Sequence, residues 1–125
     1  MAAHKGYLNK FTTKYDPEVL IEGTRTIHKY PTHRMEVTLS FGVTEEVIRF
    51  LESVVETYYK GPETRDSLAE ITKIAETVEG TLGGYWSILF LDDPYGYAFT
   101  IYRRSPSYVV LDVNGQGISI AKEPV

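Results

Sequence analysis

The sequence predicts an α+β domain in which two helices pack on an antiparallel sheet. Three observations predict it: one strictly alternating segment, two amphipathic segments at helical spacing, and four short strand patterns separated by turn residues. Helices grouped together and strands grouped together are typical of this class. The length of 125 residues suits one domain.

The composition limits the classes of partner. Hydrophobic residues make up 42% of the chain and charged residues 24%, as in ordinary globular proteins. The formal net charge of -4 supplies no field that attracts phosphate, so we expect no nucleic acid partner. No apolar run is long enough for a bilayer, so we expect no membrane partner. The absence of Cys excludes disulfides and thiolate sites and favours a cytoplasmic location.

We expect an amino-terminal extension over residues 1–32 and the folded domain over residues 33–125, since sustained apolar periodicity occurs only in the second range. The extension scatters its apolar residues among polar ones; they are Tyr7, Phe11, Tyr15 and the triplet Val19, Leu20 and Ile21. Whether such a segment packs on the domain depends on contacts that a sequence pattern does not reveal.

The first regular element is a strand over residues 34–41, where apolar and polar side chains alternate. A helix follows, with Thr44 as its N-cap and acidic residues in its first turn, and Gly61 ends it. The apolar face of this helix repeats at three- and four-residue spacing and comprises Val47, Ile48, Leu51, Val54, Val55 and Tyr58.

A second helix begins near residues 64–67, where Ser67 stands three residues before Glu70 as in a capping box. Gly80 and the pair Gly83 and Gly84 supply its end. Because both helices are amphipathic, we expect them to cover one face of the sheet. The apolar stripe of the second helix comprises Leu68, Ile71, Ala75, Val78 and Leu82.

Four strands complete the predicted sheet. The first is almost wholly apolar, and the second alternates after a turn. Asn114 and Gly115 separate the last two, and this pair is a strong hairpin signal because both residues tolerate positive φ. The predicted bounds are 86–91, 97–103, 108–113 and 117–122.

Three short motifs accompany this order of elements. Trp86 comes early in the first strand after the helices, Tyr95 and Gly96 open the next strand, and Gly115 and Gln116 precede the last. In order and spacing these motifs resemble the eight-kilodalton dynein light chains over about residues 34–123.

The resemblance implies a non-catalytic subunit or hub adaptor that forms a homodimer and binds extended peptide segments by β-strand addition. Its implied partners are the dynein intermediate chain or other proteins with extended linear motifs. A cytoplasmic, cytoskeleton-associated location is implied, in an axonemal motor, in a cytoplasmic motor or outside any motor. No cofactor and no metal are implied.

The resemblance also implies the site residues. The peptide groove follows the strand that Tyr95 and Gly96 open, with Arg65 at the start of the second helix as a further contact. The family's Ser-Tyr-Val-Thr-His strand corresponds here to Tyr97, Ala98, Phe99, Thr100 and Ile101. The His that meets the ligand in the family is therefore absent, and the family's usual ligand preference is not expected.

The implied dimer interface lies on the same strands. Ser87 stands where the family has a His that couples dimerisation to protonation, so this pH dependence is not expected. The interface comprises Trp86, Ser87, Tyr97, Phe99 and Tyr102.

Two other functions stay open: a structural dimer subunit that has lost peptide capture, and a small enzyme with an unrecognised site. The neighbouring carboxylates Asp92 and Asp93 are typical of a turn, so we predict no catalytic residue there. Arg103 and Arg104 are typical of a solvated loop. The three histidines, His4, His28 and His33, lack the spacing of a metal-binding motif.

Overall fold

The structure, a computed structural model, describes residues 15–63, 66–96 and 101–124. No helix in these ranges has both the length and the apolar character that a membrane span requires. The elements are β1 (Glu18–Glu22), β2 (Arg25–Lys29), β3 (Arg34–Phe41), α1 (Glu45–Tyr58), α2 (Ser67–Leu82), β4 (Trp86–Leu91), α3 (Ile101–Arg104), β5 (Tyr108–Val113) and β6 (Gln116–Lys122).

The strands form one antiparallel sheet in the order β1-β2-β3-β5-β6-β4. Within the described residues, β1 and β4 therefore lie at its two edges. The helices α1 and α2 pack on one face, which we name the helix side. Residues 92–96 and 101–107 run along the opposite face, which we name the outer side. The predicted α+β class is confirmed.

The core lies between the helix side of the sheet and the two long helices. Alternation along each strand directs every second side chain toward the helices. Fully burying one large aliphatic or aromatic side chain contributes about 1.5–3 kcal/mol. The fully buried apolar residues include Met35, Val109, Leu111, Val113, Ile118 and Ile120 from the sheet, and Phe50, Leu51, Val54, Val55, Ile74 and Val78 from the helices.

Two strands lie within the predicted amino-terminal extension. β1 and β2 form a hairpin at Gly23, whose φ of 64° suits a tight turn. β2 then pairs with β3, so the boundary predicted at residue 32 separates strands that share one sheet. The sequence pattern concealed these strands because the helix-side positions of this region include the polar residues His28 and Tyr30.

The start of α1 follows the sequence, whereas the start of α2 differs. The predicted N-cap of α1 is confirmed, since Oγ1 of Thr44 accepts a hydrogen bond from the Val47 amide at 3.2 Å. In α2 the N-cap is Asp66 rather than Ser67, and its carboxylate accepts from the amide of Ala69. The Asp66 side chain, one residue before Ser67, thus satisfies a free amide of the first turn.

Two residues of α2 differ from their predicted roles. Leu68, assigned to the apolar stripe, is 75% exposed. Glu70, assigned to a capping box, instead accepts a hydrogen bond from the amide of Lys60 at 2.7 Å. This carboxylate therefore ties the start of α2 to the chain just beyond the end of α1.

The strands β4, β5 and β6 agree with three of the four predicted strands. The turn between β5 and β6 has φ values of 50° at Asn114 and 93° at Gly115, as the predicted hairpin requires.

The predicted strand over residues 97–103 is wrong where the structure describes it, because Ile101–Arg104 forms α3. Residues 97–100 lie outside the described residues. The reason is topological: β6 lies between β4 and β5, so the chain leaves the sheet after β4, and the described residues of the connection lie on the outer side. We name the described part of this connection, residues 92–96 and 101–107, the crossover.

Candidate functional site

The residues predicted for a peptide groove do not line one strand in the described structure. Tyr95 and Gly96 lie in the crossover, and Ile101 begins α3. The hydroxyl of Tyr95 contacts carboxylates of β3 and β5 on the outer side. The remaining groove residues, Arg65, Tyr97, Ala98, Phe99 and Thr100, lie outside the described residues.

The residues predicted for a dimer interface make contacts within the chain. Trp86 is buried in the core, and its indole N–H donates to the carbonyl of Gly83 at 2.9 Å. The hydroxyl of Ser87 donates to Glu123 at 3.2 Å. The hydroxyl of Tyr102 lies 2.6 Å from a serine hydroxyl of β6. The other two residues, Tyr97 and Phe99, lie outside the described ranges.

The edge of β4 is partly covered by α2. The amide of Trp86 donates to Oε2 of Glu79, a residue of α2, at 2.9 Å. Main-chain amides alternate in direction along an antiparallel strand. Because the Trp86 amide points away from β6, every second amide after it also faces the edge. A carboxylate at the first of these amides hinders another strand from pairing there.

The edge of β1 has a different character. Val19 is 50% exposed and Ile21 is 73% exposed. Val19 lies opposite His28 and Ile21 lies opposite Thr26, so both point to the helix side of the sheet. These two β-branched side chains form an apolar surface at the edge, beyond the region that α1 covers.

Charged residues mark both ends of β1 on the outer side. Glu22 accepts a hydrogen bond from Arg34 at 2.9 Å, whereas Glu18 takes part in no ion pair within the described residues. Both carboxylates belong to exposed residues. The edge of β1 therefore combines an apolar helix side with an acidic outer side.

A buried hydrogen-bonded group joins β2 to α1. Nδ1 of His28 lies 2.7 Å from Oε1 and 2.9 Å from Oε2 of Glu52. The hydroxyl of Tyr30 donates to the same carboxylate at 2.8 Å. Glu52 is fully buried and His28 is 7% exposed. Two donors thus satisfy a carboxylate that burial would otherwise penalise strongly.

The electrostatic surroundings of this group favour the imidazolium form of His28. The hydrogen bond to Glu52 raises the pKa of His28 above its ordinary value, and desolvation only partly opposes this effect. Burial raises the pKa of the Tyr30 hydroxyl, so this group remains a hydrogen-bond donor at neutral pH.

A second pair lies one helical turn further along α1. Oε1 of Glu56 lies 2.9 Å from Nδ1 of His33 and accepts from the His33 amide at 3.0 Å. Its other oxygen accepts from the amide of Thr32 at 2.8 Å. Glu52 and Glu56 are four residues apart, which places both on one side of the helix. Together they attach β2 and the following turn to α1.

A cleft of about 460 Å³ lies beside the first pair, between the first turns of α1 and strands β2 and β3. Its volume falls within the range of small-molecule sites. The two pairs differ here, because His28 lines this cleft and His33 does not. The lining residues are Thr24, Arg25, Thr26, His28, Glu36, Val37, Ser40, Glu45 and Ile48.

A polar cluster on the outer side holds the crossover against the sheet. Arg25 donates to both oxygens of Glu36, at 2.6 and 3.1 Å. The hydroxyl of Tyr95 lies 2.5 Å from Glu36 and 3.1 Å from Asp112. The guanidinium of Arg25 lowers the pKa of Glu36, and the hydrogen bond to Glu36 raises the pKa of Tyr95 to about 12. These contacts join β2, β3 and β5 to the crossover.

The sequence did not reveal Glu52, Glu56 or the roles of His28 and His33. One feature of the sequence could have indicated these pairs. The two glutamates stand four residues apart beside the apolar stripe of α1, and the two histidines upstream have a similar separation. Asp93 agrees with its predicted turn role, since its carboxylate accepts from the amide of Tyr95 at 2.9 Å.

No group of three or more potential ligands in the described residues is arranged to hold a metal ion. Comparisons with known proteins give no assignment: no family model, no curated protein and no solved structure matches this chain.

Proposed function

We propose that this chain is a non-catalytic binding module that captures an extended segment of a partner protein as an added strand at the edge of β1. One observation carries the proposal: β1 pairs only with β2 among the described strands, and it exposes Val19 and Ile21 along one side. Unpaired main-chain groups at a sheet edge form a template for another strand.

The expected affinity follows from the length of β1. An incoming strand opposite five residues makes about five main-chain hydrogen bonds, each worth about 0.5–1.5 kcal/mol net. Contacts with Val19 and Ile21 add apolar burial, while association itself costs at least about 4 kcal/mol. The balance corresponds to micromolar affinity at best, which suits a reversible adaptor.

The two sides of the edge set the chemistry of the partner. Side chains of an added strand alternate, so one set meets Val19 and Ile21 and the other set meets Glu18 and Glu22. We therefore expect a segment in which apolar residues alternate with Lys or Arg. The net charge of -4 of the whole chain also favours a basic partner.

The proposal keeps the mode of capture that the sequence suggested but moves its location. The hydroxyl of Tyr95 is engaged on the outer side and Ile101 begins a helix, so the described part of residues 95–101 offers no strand edge. Membership in the dynein light chain family, a homodimer, an intermediate-chain partner and a cytoskeletal location are further proposals. They rest on the order of the sequence motifs.

A labelled peptide with alternating Val and Lys tests the capture. We expect saturable binding in fluorescence anisotropy, and about tenfold weaker binding by Ile21→Asp, because a carboxylate replaces the apolar contact. Leu68→Asp is the matched control, since Leu68 is equally exposed but lies on α2. A peptide with N-methylated amides and the same side chains should not bind, because strand addition needs its N–H groups.

Hydrogen exchange identifies the edge that is used. Binding at β1 should protect amides in residues 18–22 and leave those of β4 unchanged. Protection of β4 instead, equal loss in Ile21→Asp and Leu68→Asp, or retained binding by the N-methylated peptide would each contradict the proposal. Sedimentation equilibrium on the free chain reports separately whether it forms a homodimer.

A further inference from the structure

His28 is a buried residue with one free ring nitrogen. Nδ1 is occupied by Glu52, and no hydrogen bond within the described residues involves Nε2. His28 is only 7% exposed, yet it lines the cleft beside α1. A ring nitrogen without a hydrogen bond among the described residues therefore belongs to a largely buried side chain that lines a cavity.

The buried carboxylate determines what this nitrogen can do. Because Glu52 accepts from Nδ1, the ring stays in one orientation, and in its imidazolium form it offers an N–H at Nε2. Such a charged donor makes shorter and stronger hydrogen bonds to an anionic oxygen than to a neutral one. The carboxylate of Glu52 neutralises the positive charge of the His28 imidazolium. The net charge of Glu52, His28 and a bound anion together is therefore the charge of the anion.

The rest of the cleft supplies an apolar wall and two hydroxyl groups. Val37 and Ile48 contribute the apolar wall, and Thr26 and Ser40 contribute the hydroxyls. This combination of an apolar lining and a few polar groups is typical of sites for small organic ligands.

The other charged groups around His28 are paired with each other. On α1, Glu45 lies 3.6 Å from Arg49 at the mouth of the cleft. On the sheet, Glu36 is bound to Arg25 through both oxygens. Neither carboxylate is therefore left as an uncompensated charge against an incoming anion.

We propose that this cleft binds a small organic carboxylate, with its apolar body against Val37 and Ile48 and its carboxylate accepting a hydrogen bond from Nε2 of His28. Such a ligand contains an oxygen that matches the free donor and an apolar part that matches the wall. The cleft adjoins the edge of β1, since Thr26 and His28 lie opposite Ile21 and Val19. Binding of a small carboxylate is nevertheless argued from His28 and the cleft alone, so it does not rest on peptide capture.

Benzoate is a suitable probe, with benzamide as the neutral compound of the same shape. In an NMR titration we expect benzoate to shift the imidazole signals of His28 saturably while those of His33 stay unchanged. Benzamide should bind at least about tenfold more weakly, since it lacks the charge that strengthens the hydrogen bond. Affinity for benzoate should decrease as the pH rises through the pKa of folded His28, because the donor at Nε2 is then lost.

Three variants separate the site from general stability. His28→Gln should lose benzoate binding, whereas His33→Gln, which alters the similar pair outside the cleft, should keep it. Thr26→Phe places a bulky ring at an exposed strand position of the cleft, so it should block benzoate while leaving His28 bonded to Glu52. The proposal is overturned if His28 shows no saturable shift, if benzamide binds as well as benzoate, or if Thr26→Phe retains full affinity.

Discussion

Nδ1 of His28 lies 2.7 Å from Oε1 of Glu52, and this contact connects the second strand of the sheet to the first long helix inside the protein. A buried carboxylate is tolerated when it is paired and hydrogen-bonded, and removal of one partner leaves the other as an uncompensated group. One of the contacts that attach the amino-terminal hairpin to α1 therefore depends on the ionisation of two side chains.

The stability of the protein should depend on pH through His28. Glu52 raises the pKa of His28 in the folded state, so the folded chain holds this proton more tightly than the unfolded chain. The contribution is fully present below about pH 6.5, the ordinary value for His. It is lost as the pH rises through the higher folded pKa. The free energy of unfolding, measured with urea across this range, should decrease accordingly.

Glu52→Gln is the control for this pH dependence. The amide keeps the size of the side chain but removes the charge that raises the pKa of His28. At low pH the variant should be less stable than the natural chain by about 3 kcal/mol, the range for breaking a buried pair. The difference should shrink at higher pH. A constant difference at every pH would show that this pair does not cause the effect.

Glu56 should hold the turn between β2 and β3. Its carboxylate accepts from the amides of Thr32 and His33 and contacts Nδ1 of His33. Glu56→Ala leaves three groups without their acceptor, so we expect a loss of about 3 kcal/mol in the free energy of unfolding. Hydrogen exchange at residues 32 and 33 should accelerate more than in the core strands. Glu76→Ala, on the exposed surface of α2, should change neither quantity; unchanged exchange in Glu56→Ala would refute this role.

The sequence predicted those elements whose apolar residues repeat with a clear period. β3, α1 and α2 have such patterns, and β4, β5 and β6 were bounded correctly by their turns. β1 and β2 were not predicted, because Val19 and Ile21 lie at an uncovered edge and the polar residue His28 occupies a helix-side position. A local pattern records polarity, whereas these positions are defined by contacts with distant parts of the chain.

The same limit applies to the crossover and to the candidate site. Residues 97–103 alternate as a strand would, but β4 and β5 are not neighbours in the sheet and residues 101–104 form α3 in the connection between them. Strand order in a sheet is a long-range property that a local pattern does not record. Glu52 and Glu56 resemble the polar positions of any amphipathic helix. Their role became visible only when β2 was placed beside α1.

Tyr95 should attach the crossover to the sheet through its hydroxyl. The hydroxyl lies 2.5 Å from Glu36 and 3.1 Å from Asp112, and it has one proton for the two carboxylates. Tyr95→Phe should lower the free energy of unfolding by only about 0.5–1 kcal/mol, because the residue is half exposed and water can replace the contact.

The ionisation of Tyr95 provides a second measurement. Its pKa is raised to about 12, chiefly by the hydrogen bond to Glu36. In a phenolate absorbance titration, Tyr95→Phe should therefore lack a step near pH 12 that the natural chain shows. Tyr85→Phe, which alters another exposed tyrosine, should leave that step in place. If Tyr95→Phe instead lacked a step near pH 10, the ordinary value for Tyr, the proposed contact of the Tyr95 hydroxyl with Glu36 and Asp112 would be contradicted.

Gly117 should be required where the crossover lies against β6. A Cβ at this position would lie 2.8 Å from Cβ of Leu91 and 2.9 Å from Cα of Pro94. Because these neighbours are a buried side chain and main chain, Gly117→Ala forces the start of the crossover away from the sheet. We expect a loss of about 1–3 kcal/mol, as for overpacking. The urea midpoint of unfolding measures the change.

Gly80→Ala is the opposite control for this substitution. Gly80 lies within α2, and a Cβ there meets no other atom within 4 Å. Removing the freedom of glycine in a helix should stabilise the protein by about 0.5–1 kcal/mol. The two variants add the same methyl group, so opposite shifts of the midpoint would isolate the close approach at Gly117. Equal shifts, or a neutral Gly117→Ala, would mean that the crossover does not press on β6.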